Sequence, residues 1–185
     1  MEKICIKRGD NLVTIPEVEE SLRSMVILVD SREQETDRAR TRYAQFGCPY
    51  ERATIKTGDY SAKFLLPGGL WYDLSNDITV ERKMNLDELC LCFGKDRKRF
   101  IKEFERAKEN NIRLWLLLEN STFEKAYSGS YRSKYKPQSL IASMLAWQSR
   151  YACRIVMCHE SVTGKLIHDI LYYEGREILM GMVDE

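Results

Sequence analysis

The sequence predicts an α/β protein, with a central mixed β-sheet flanked by helices on both faces. Three observations carry this. Two continuous apolar runs, MVILVD (25–30) and IRLWLLLE (112–119), each end in an acid and suit strands buried on both faces. Stretches with helical spacing fall between the strand candidates, as in βαβ units. One turn signal, PGG at 67–69, breaks the alternation with an antiparallel hairpin.

The elements follow in order. Residues 1–24 read as an N-terminal appendage, with Pro16 ahead of a short polar, helical stretch, EVEESLRS. After the first strand, 35–46 (ETDRARTRYAQF) reads as a helix stopped by Gly47 and Pro49. YERATI (50–55) alternates enough for a strand, Gly58 punctuates, and 60–66 with 70–73 form the hairpin. DITVERK (77–83) is β-branched and reads as the next strand. Asn85 and Asp87 open a helix through 93, and a longer helix over 96–109 repeats Phe100, Phe104 and Ala107 on one face. Pro137 opens a helix through Tyr151, CRIVMC (153–158) is a strand, and 162–174 is the final helix. The main domain spans 25–175, leaving 176–185 as a tail.

The chain has 185 residues, enough for one domain with a sizeable core. No apolar run approaches the ~20 residues that span a bilayer, and the N-terminus lacks an apolar signal core. An intracellular, cytoplasmic setting without a membrane partner is expected. The six cysteines (5, 48, 90, 92, 153, 158) form no CxxC and read as reduced thiols. The two histidines, His159 and His168, make neither a zinc cluster with them nor a Ser-His-Asp set. No GxGxxG or Walker A motif follows a strand, which leaves nucleotide-binding folds without support.

The acids carry the chemical signal. Asp30 closes a buried strand and begins DSRE, which places Asp30, Arg32 and Glu33 at one strand end. Asp59 follows Gly58. Glu81 and Lys83 sit two apart in TVERK, so they project together while Arg82 faces the other side. Two carboxylates brought together at strand ends need a cation between them. Mg²⁺ suits them, because it takes one or two carboxylates and keeps several waters. A metal-bound water then serves as nucleophile for phosphodiester cleavage. Lys83 would orient or deprotonate that water, or stabilise the pentavalent transition state. D…ExK alone is a weak signal in a chain that is 31% charged.

The longer set is more specific. VDSRE (29–33), GDY (58–60), VERK (80–83) with Asp87 four residues after Lys83, and LLLEN (116–120) follow in order. Together they resemble the nuclease domain of the XPF-type structure-specific endonucleases, relatives of the archaeal Hef nuclease, over roughly 25–175. The resemblance implies a restriction-endonuclease-like fold and Mg²⁺- or Mn²⁺-dependent cleavage of branched, flapped or junction DNA, in repair or recombination. It implies metal ligation by Asp59, Glu81 and the Arg82 carbonyl, with Lys83 as the catalytic lysine. Asp30 and Glu33 would complete the acidic pocket, and Arg32 and Asp87 would support it. Leu140, Met144 and Trp147 and then Leu166, Ile167, Ile170 and Leu171 read mostly as core; the resemblance also implies a homodimer built in this region, with Leu171, Tyr172 and Tyr173 beside an exposed stripe.

Three features depart from the family pattern. Asp59 and Glu81 are further apart, because FLLPGGLWYDLSND adds or lengthens a hairpin that either contacts substrate or extends the sheet edge. Neither the tandem helix-hairpin-helix domain nor a helicase domain is present in these residues, which makes a helicase or DNA-binding partner protein an expectation. Two other readings compete: a non-catalytic DNA-binding subunit, which would lose the acids and lysine kept here, and a restriction-type nuclease.

Charge distribution supports a DNA partner despite a net charge of +1. Residues 81–154 carry 16 basic against 9 acidic side chains, while the segments on either side are net acidic. Lys95, Arg97, Lys98, Arg99, Lys102 and Arg106 crowd one helix, with Lys98, Lys102 and Arg106 at i, i+4 spacing. GSYRSKYKP (129–137) interleaves Tyr131 and Tyr135 with Arg132, Lys134 and Lys136, a composition suited to phosphates and unstacked bases.

Overall fold

The computed structural model describes residues 13–183. In chain order its elements are α1 (Ile15–Arg23), β1 (Val26–Asp30), α2 (Asp37–Tyr43), β2 (Tyr50–Ala53), β3 (Tyr60–Leu65), β4 (Trp71–Asp73), β5 (Ile78–Lys83), α3 (Leu86–Phe93), α4 (Arg97–Glu109), β6 (Arg113–Glu119), α5 (Phe123–Ser128), α6 (Pro137–Tyr151), β7 (Arg154–Cys158) and α7 (Thr163–Met180). The sheet runs β2-β1-β3-β5-β6-β7, with β4 paired to β3. β1–β2, β5–β6 and β6–β7 are parallel, and β3 is antiparallel to β1, β4 and β5. This is the mixed α/β sheet that the sequence predicts.

Side-chain alternation divides the core in two. Ile78, Val80 and Leu117 join α1, α2 and α7 on one face, around Val18, Tyr43 and Leu171. Leu114, Leu116 and Leu118 join α3, α4 and α6 on the other, around Phe93, Phe104 and Trp147. Local signals start the helices. The Asn85 side chain accepts the Glu88 N–H at 3.0 Å to cap α3, Thr122 caps α5 in the same way, and Pro137 opens α6.

Several boundaries move. The stretch read as an appendage supplies α1, whose Val18 and Leu22 are buried, because an amphipathic helix needs a face to cover. Residues 1–12 of that segment lie outside the described residues, as does Cys5. The last helix continues past 175 to Met180, and Ile178 and Leu179 enter the core. At Gly175 an added Cβ would lie 2.4 Å from the Phe64 ring, so α7 passes close against β3 there. The short α5 has no counterpart in the sequence reading, since six residues do not display a helical period.

The hairpin lies at the far end of the sheet from the acids. Leu65 pairs with Trp71, and Lys63 sits opposite Val26 at the start of β1, whereas Tyr60 sits opposite Val29 beside Asp30. Six extended residues separate Asp59 from Leu65, roughly 20 Å. β4, a 3-10 turn (Leu74–Asn76) and β5 together line one flank of β3. The added residues therefore lengthen β3's partner within the sheet; they neither extend its edge nor reach the acids.

The apolar side chains of α6 and α7 read mostly as core, and Leu140, Met144, Trp147, Ile167, Ile170 and Leu171 are all buried. Five cysteines among the described residues are free thiols. No helix of the described residues is long and apolar enough to cross a membrane.

If residues 176–180 belong to the core, Leu179→Ala should cost about 2–5 kcal/mol of stability in urea denaturation. A loss below about 0.5 kcal/mol, the range of a surface change, would return them to the status of a tail.

Candidate metal centre and nucleic-acid interface

β5 delivers the acid and the lysine to the face covered by α3 and α4, as its alternation predicts. Glu81 is 3% exposed and pairs with the Lys83 ammonium, which also lies 5.6 Å from the centre of the Phe100 ring. Asp59 enters from the loop before β3. Its backbone N–H bonds to the Val80 carbonyl and its carbonyl accepts from Asp30, both at 2.8 Å, while Oδ2 accepts the Arg82 backbone N–H at 2.8 Å. Asp59 thereby ties β1 to β5. Gly58 makes this approach possible, with φ +79° and only 2.9 Å between the position of an added Cβ and Thr79.

These groups open into one cavity of about 360 Å³. Its acids are Asp30, Glu33, Asp59, Glu81, Asp96 and Glu103, and Arg32, Lys83, Arg99, Lys102 and Arg106 line it with them, beside Cys92 and Phe100. Burial, followed by the charge of Glu81, pushes Asp59 up to about 8. Burial also raises Glu81; Lys83 opposes that rise and Glu103 adds to it. Burial works against the Lys83 ammonium, but Glu81 and Asp59 outweigh it and keep Lys83 more basic than an ordinary lysine.

The acids fit a divalent cation. Glu81 Oε2 is buried without a hydrogen-bond partner, and its nearest charged neighbours include two more carboxylates. An orphaned anionic oxygen in that setting is satisfied by a metal ion. Among the described residues, no three His, Cys, Asp or Glu side chains converge tightly enough to hold an ion by themselves. The donors present are the Asp59 and Glu81 carboxylates, and one or two carboxylates are what Mg²⁺ takes while keeping several waters of its own.

The other predicted residues divide by what they touch. Asp30 is fully engaged: Oδ1 accepts the Arg32 backbone and Nε at 2.8 and 2.7 Å, and Oδ2 accepts Arg32 Nη2 and the Ile55 backbone at 3.0 Å. Despite its burial, those bonds lower its pKa. Asp30 anchors Arg32 at the cavity wall and has no oxygen left over for a metal. Glu33 lines the cavity as well, and its Oε1 accepts from Arg42 (3.0 Å), Tyr60 (3.1 Å) and Arg82 (3.3 Å), which joins it to a buried charge cluster. Arg82, facing that way, also reaches Glu119 at 3.3 Å. Asp87 is not among the cavity residues; its carboxylate turns to the loop before α6.

The basic residues divide likewise. Arg99, Lys102 and Arg106 line the cavity, and Lys98 falls outside the lining. A helical face of 99, 102, 103 and 106 therefore replaces the 98/102/106 face read from spacing. Arg97 is taken up structurally, bonding the Phe93 carbonyl at 3.2 Å over the Trp147 ring. Lys95, Arg132, Lys134 and Lys136 are exposed. Sequence reasoning missed Glu103, whose Oε1 accepts the Gly58 N–H at 3.4 Å. One signal was present: Glu103 is an acid beside Phe104 and Lys102 in the otherwise basic first half of its helix.

Comparison with known proteins agrees with the motif reading. No curated protein matches the chain. Two solved structures resemble it at 21% identity and a TM-score of 0.58. "XPF from Aeropyrum pernix" is covered over 80% of this chain and 61% of that one. "XPF from Aeropyrum pernix, complex with DNA" is covered over 82% and 66%, also with 21% identity and a TM-score of 0.58. This chain thus spans under two thirds of their length, and at that identity they establish the shared fold. The ERCC4 domain model matches residues 29–170, from VDSRE into the first half of α7, and the chain belongs to the ERCC4 domain family.

Proposed function

We propose that this protein is a metal-dependent DNA endonuclease that hydrolyses phosphodiester bonds in branched, flapped or junction DNA. The observation that carries the proposal is the orphaned Glu81 Oε2 beside Asp59 and Lys83 in a cavity walled by Arg32, Arg99, Lys102 and Arg106. Acids at the base suit a cation, and guanidinium and ammonium groups beside them suit a phosphate. The ERCC4 membership and a relative solved in complex with DNA support the substrate class.

Asp59, Glu81 and the Arg82 backbone carbonyl would hold Mg²⁺, for which Mn²⁺ can substitute. When bound, the ion supplies Lewis acidity and a water of lowered pKa. Lys83, paired with Glu81 in the cavity, would orient or deprotonate that water, or stabilise the pentavalent phosphorane. Arg32, held by Asp30, is placed to contact a non-bridging phosphate oxygen. The non-catalytic reading is disfavoured because the full D…ExK set converges in one cavity. A restriction-type reading loses its candidate recognition hairpin, which lies at the far end of the sheet. A homodimer belongs to the proposal, with Leu145 and Tyr173 as exposed apolar contacts, 50% and 63% accessible. A helicase or DNA-binding partner protein would supply the remaining selectivity.

Three outcomes are expected. In a Mn²⁺ assay over flap, junction and linear duplex DNA, Asp59→Ala, Glu81→Ala and Lys83→Ala should each lower cleavage at least about 100-fold. Undiminished cleavage by Lys83→Ala would sink the mechanism. Light scattering should show a mass that rises with concentration, and a constant monomer mass would remove the homodimer.

The third outcome concerns pH. The folded pKa of Asp59 lies above its unfolded value of 3.8, so its contribution is greatest below about 4 and is lost as pH rises through about 8. Without metal, the melting temperature of wild type relative to Asp59→Asn should fall across that window. Mg²⁺ or Mn²⁺ should restore it, most at the alkaline end, where no proton competes. A difference that does not vary with pH would mean that Asp59 ionises as a solvated acid.

A further inference from the structure

We infer that Asp87 is a positioning residue for DNA binding: it fixes the tyrosine- and lysine-bearing loop 129–136 on the catalytic end of the sheet. The inference rests on the DNA-nuclease reading above. Asp87 sits in the first turn of α3, with Oδ1 accepting the Ser133 backbone N–H at 2.7 Å and Oδ2 facing Arg132 Nε at 3.4 Å. Cys90, one turn further along α3, hydrogen-bonds to Ser133 as well. The loop's other ties are the packing of Tyr131 and Tyr135 against the core on this face and short-range hydrogen bonds such as Ser130 N–H to the Lys125 carbonyl at 2.9 Å. Tyr131 donates to the Tyr135 carbonyl at 2.7 Å, Tyr135 meets Ser143 at 3.2 Å and lies near Gly94, and Lys134 and Lys136 are exposed.

Topology puts this loop on the same end as the metal centre. β5 and β6 are parallel, with Lys83 opposite Leu118, so α3 and the chain following Glu119 both leave from the acid-bearing end. Apart from Lys83 on β5, the cavity basics come from α4 and from Arg32 on the β1 side. The loop adds a second basic element, reached through α3, which directly follows the ERK strand. A nucleic-acid strand crossing the acids would then meet the positive charge of Arg132, Lys134 and Lys136 as well as that of α4, while Tyr131 and Tyr135 pack against the core under α3, α4 and α6. The ordering cost of such a loop falls on binding unless it is met beforehand, and the Asp87–Ser133 bond meets it in the free protein.

The sign of the effect makes this testable. Removing an acid next to three basic side chains should strengthen DNA binding by electrostatics alone. Removing a clamp should weaken it. Fluorescence anisotropy with a labelled flapped duplex in EDTA reads binding without turnover. Asp87→Ala should weaken affinity about fivefold, the scale of ordering one or two side chains. Asp87→Asn keeps an acceptor for Ser133 and should stay within about twofold of wild type. Hydrogen exchange over 129–136 should speed up in Asp87→Ala alone, and calorimetric Mn²⁺ affinity should be unchanged in both. Equal or tighter DNA binding by Asp87→Ala overturns the clamp, and so does loss of Mn²⁺ affinity, which would return Asp87 to the metal centre. The double variant Lys134→Ala, Lys136→Ala separates the premises. If it binds DNA as wild type does, the loop is no DNA contact and the inference falls while the nuclease reading stands. Wild-type protein that binds no DNA defeats both.

Discussion

Arg82 leaves β5 on the side away from the metal centre and enters a buried cluster with Arg42, Glu33 and Glu119. Glu119 is 1% exposed and Arg42 4%, so neither can lose its partner without stranding a charge. Two cations face two anions there, and the Tyr60 hydroxyl bridges Arg42 and Glu33. Each of the four comes from a different segment: β5, β6, α2 and the DSRE turn. The cluster also fixes register. A strand has period two, so a one-residue slip of β5 would send Arg82 toward α4 and drive Glu81 and Lys83 into an apolar core. The geometry of E-x-K thus depends on the arginine between them, which never touches the cavity.

The same logic explains why several acids near the site are not interchangeable. Asp30 and Glu33 are matched by arginines and hydrogen bonds, and for Asp30 those bonds outweigh burial. Asp59 and Glu81 are under-matched: one lysine serves both, Glu81 Oε2 has no hydrogen-bond partner, and both pKa values rise. Stability favours the first arrangement and chemistry uses the second. The difference arises within a few residues: Glu33 meets Arg42 and Arg82, and Asp30, which lines the cavity, is matched by Arg32 two residues on, whereas Asp59 and Glu81 share Lys83.

Much of this was legible in the sequence. MVILVD and IRLWLLLE announce buried strands because an apolar run bounded by polar turns has few other uses, and TVERK reveals its two faces by alternation alone. The ordered motifs then bring Asp59, Glu81 and Lys83 together. What escaped depends on tertiary placement. Charge type along a helix cannot tell Arg97, which lies over Trp147, from Arg99, which reaches the cavity. The outward turn of Asp87 depends on where the 129–136 loop returns, 46 residues later in sequence. The hairpin's position depends on the direction of β3, since an inserted sequence beside a catalytic acid is no guide to its end of the sheet.

The small net charge now has a physical reading. An acidic cavity alone repels the phosphate it must cleave, and a basic wall alone holds DNA without activating a water. Placing Glu103 among Arg99, Lys102 and Arg106 on one helix joins the two demands, because α4 carries an acid toward Gly58 and cations beside it. A bound divalent ion would reverse the sign of the cavity's base and turn a locally balanced field into an attractive one. Metal loading and DNA engagement are then coupled through charge without any movement of the fold. That coupling requires the rest of the surface to stay near neutral: a strongly basic chain would bind DNA whether or not the ion was present, and the cavity would lose its control over when the substrate is held.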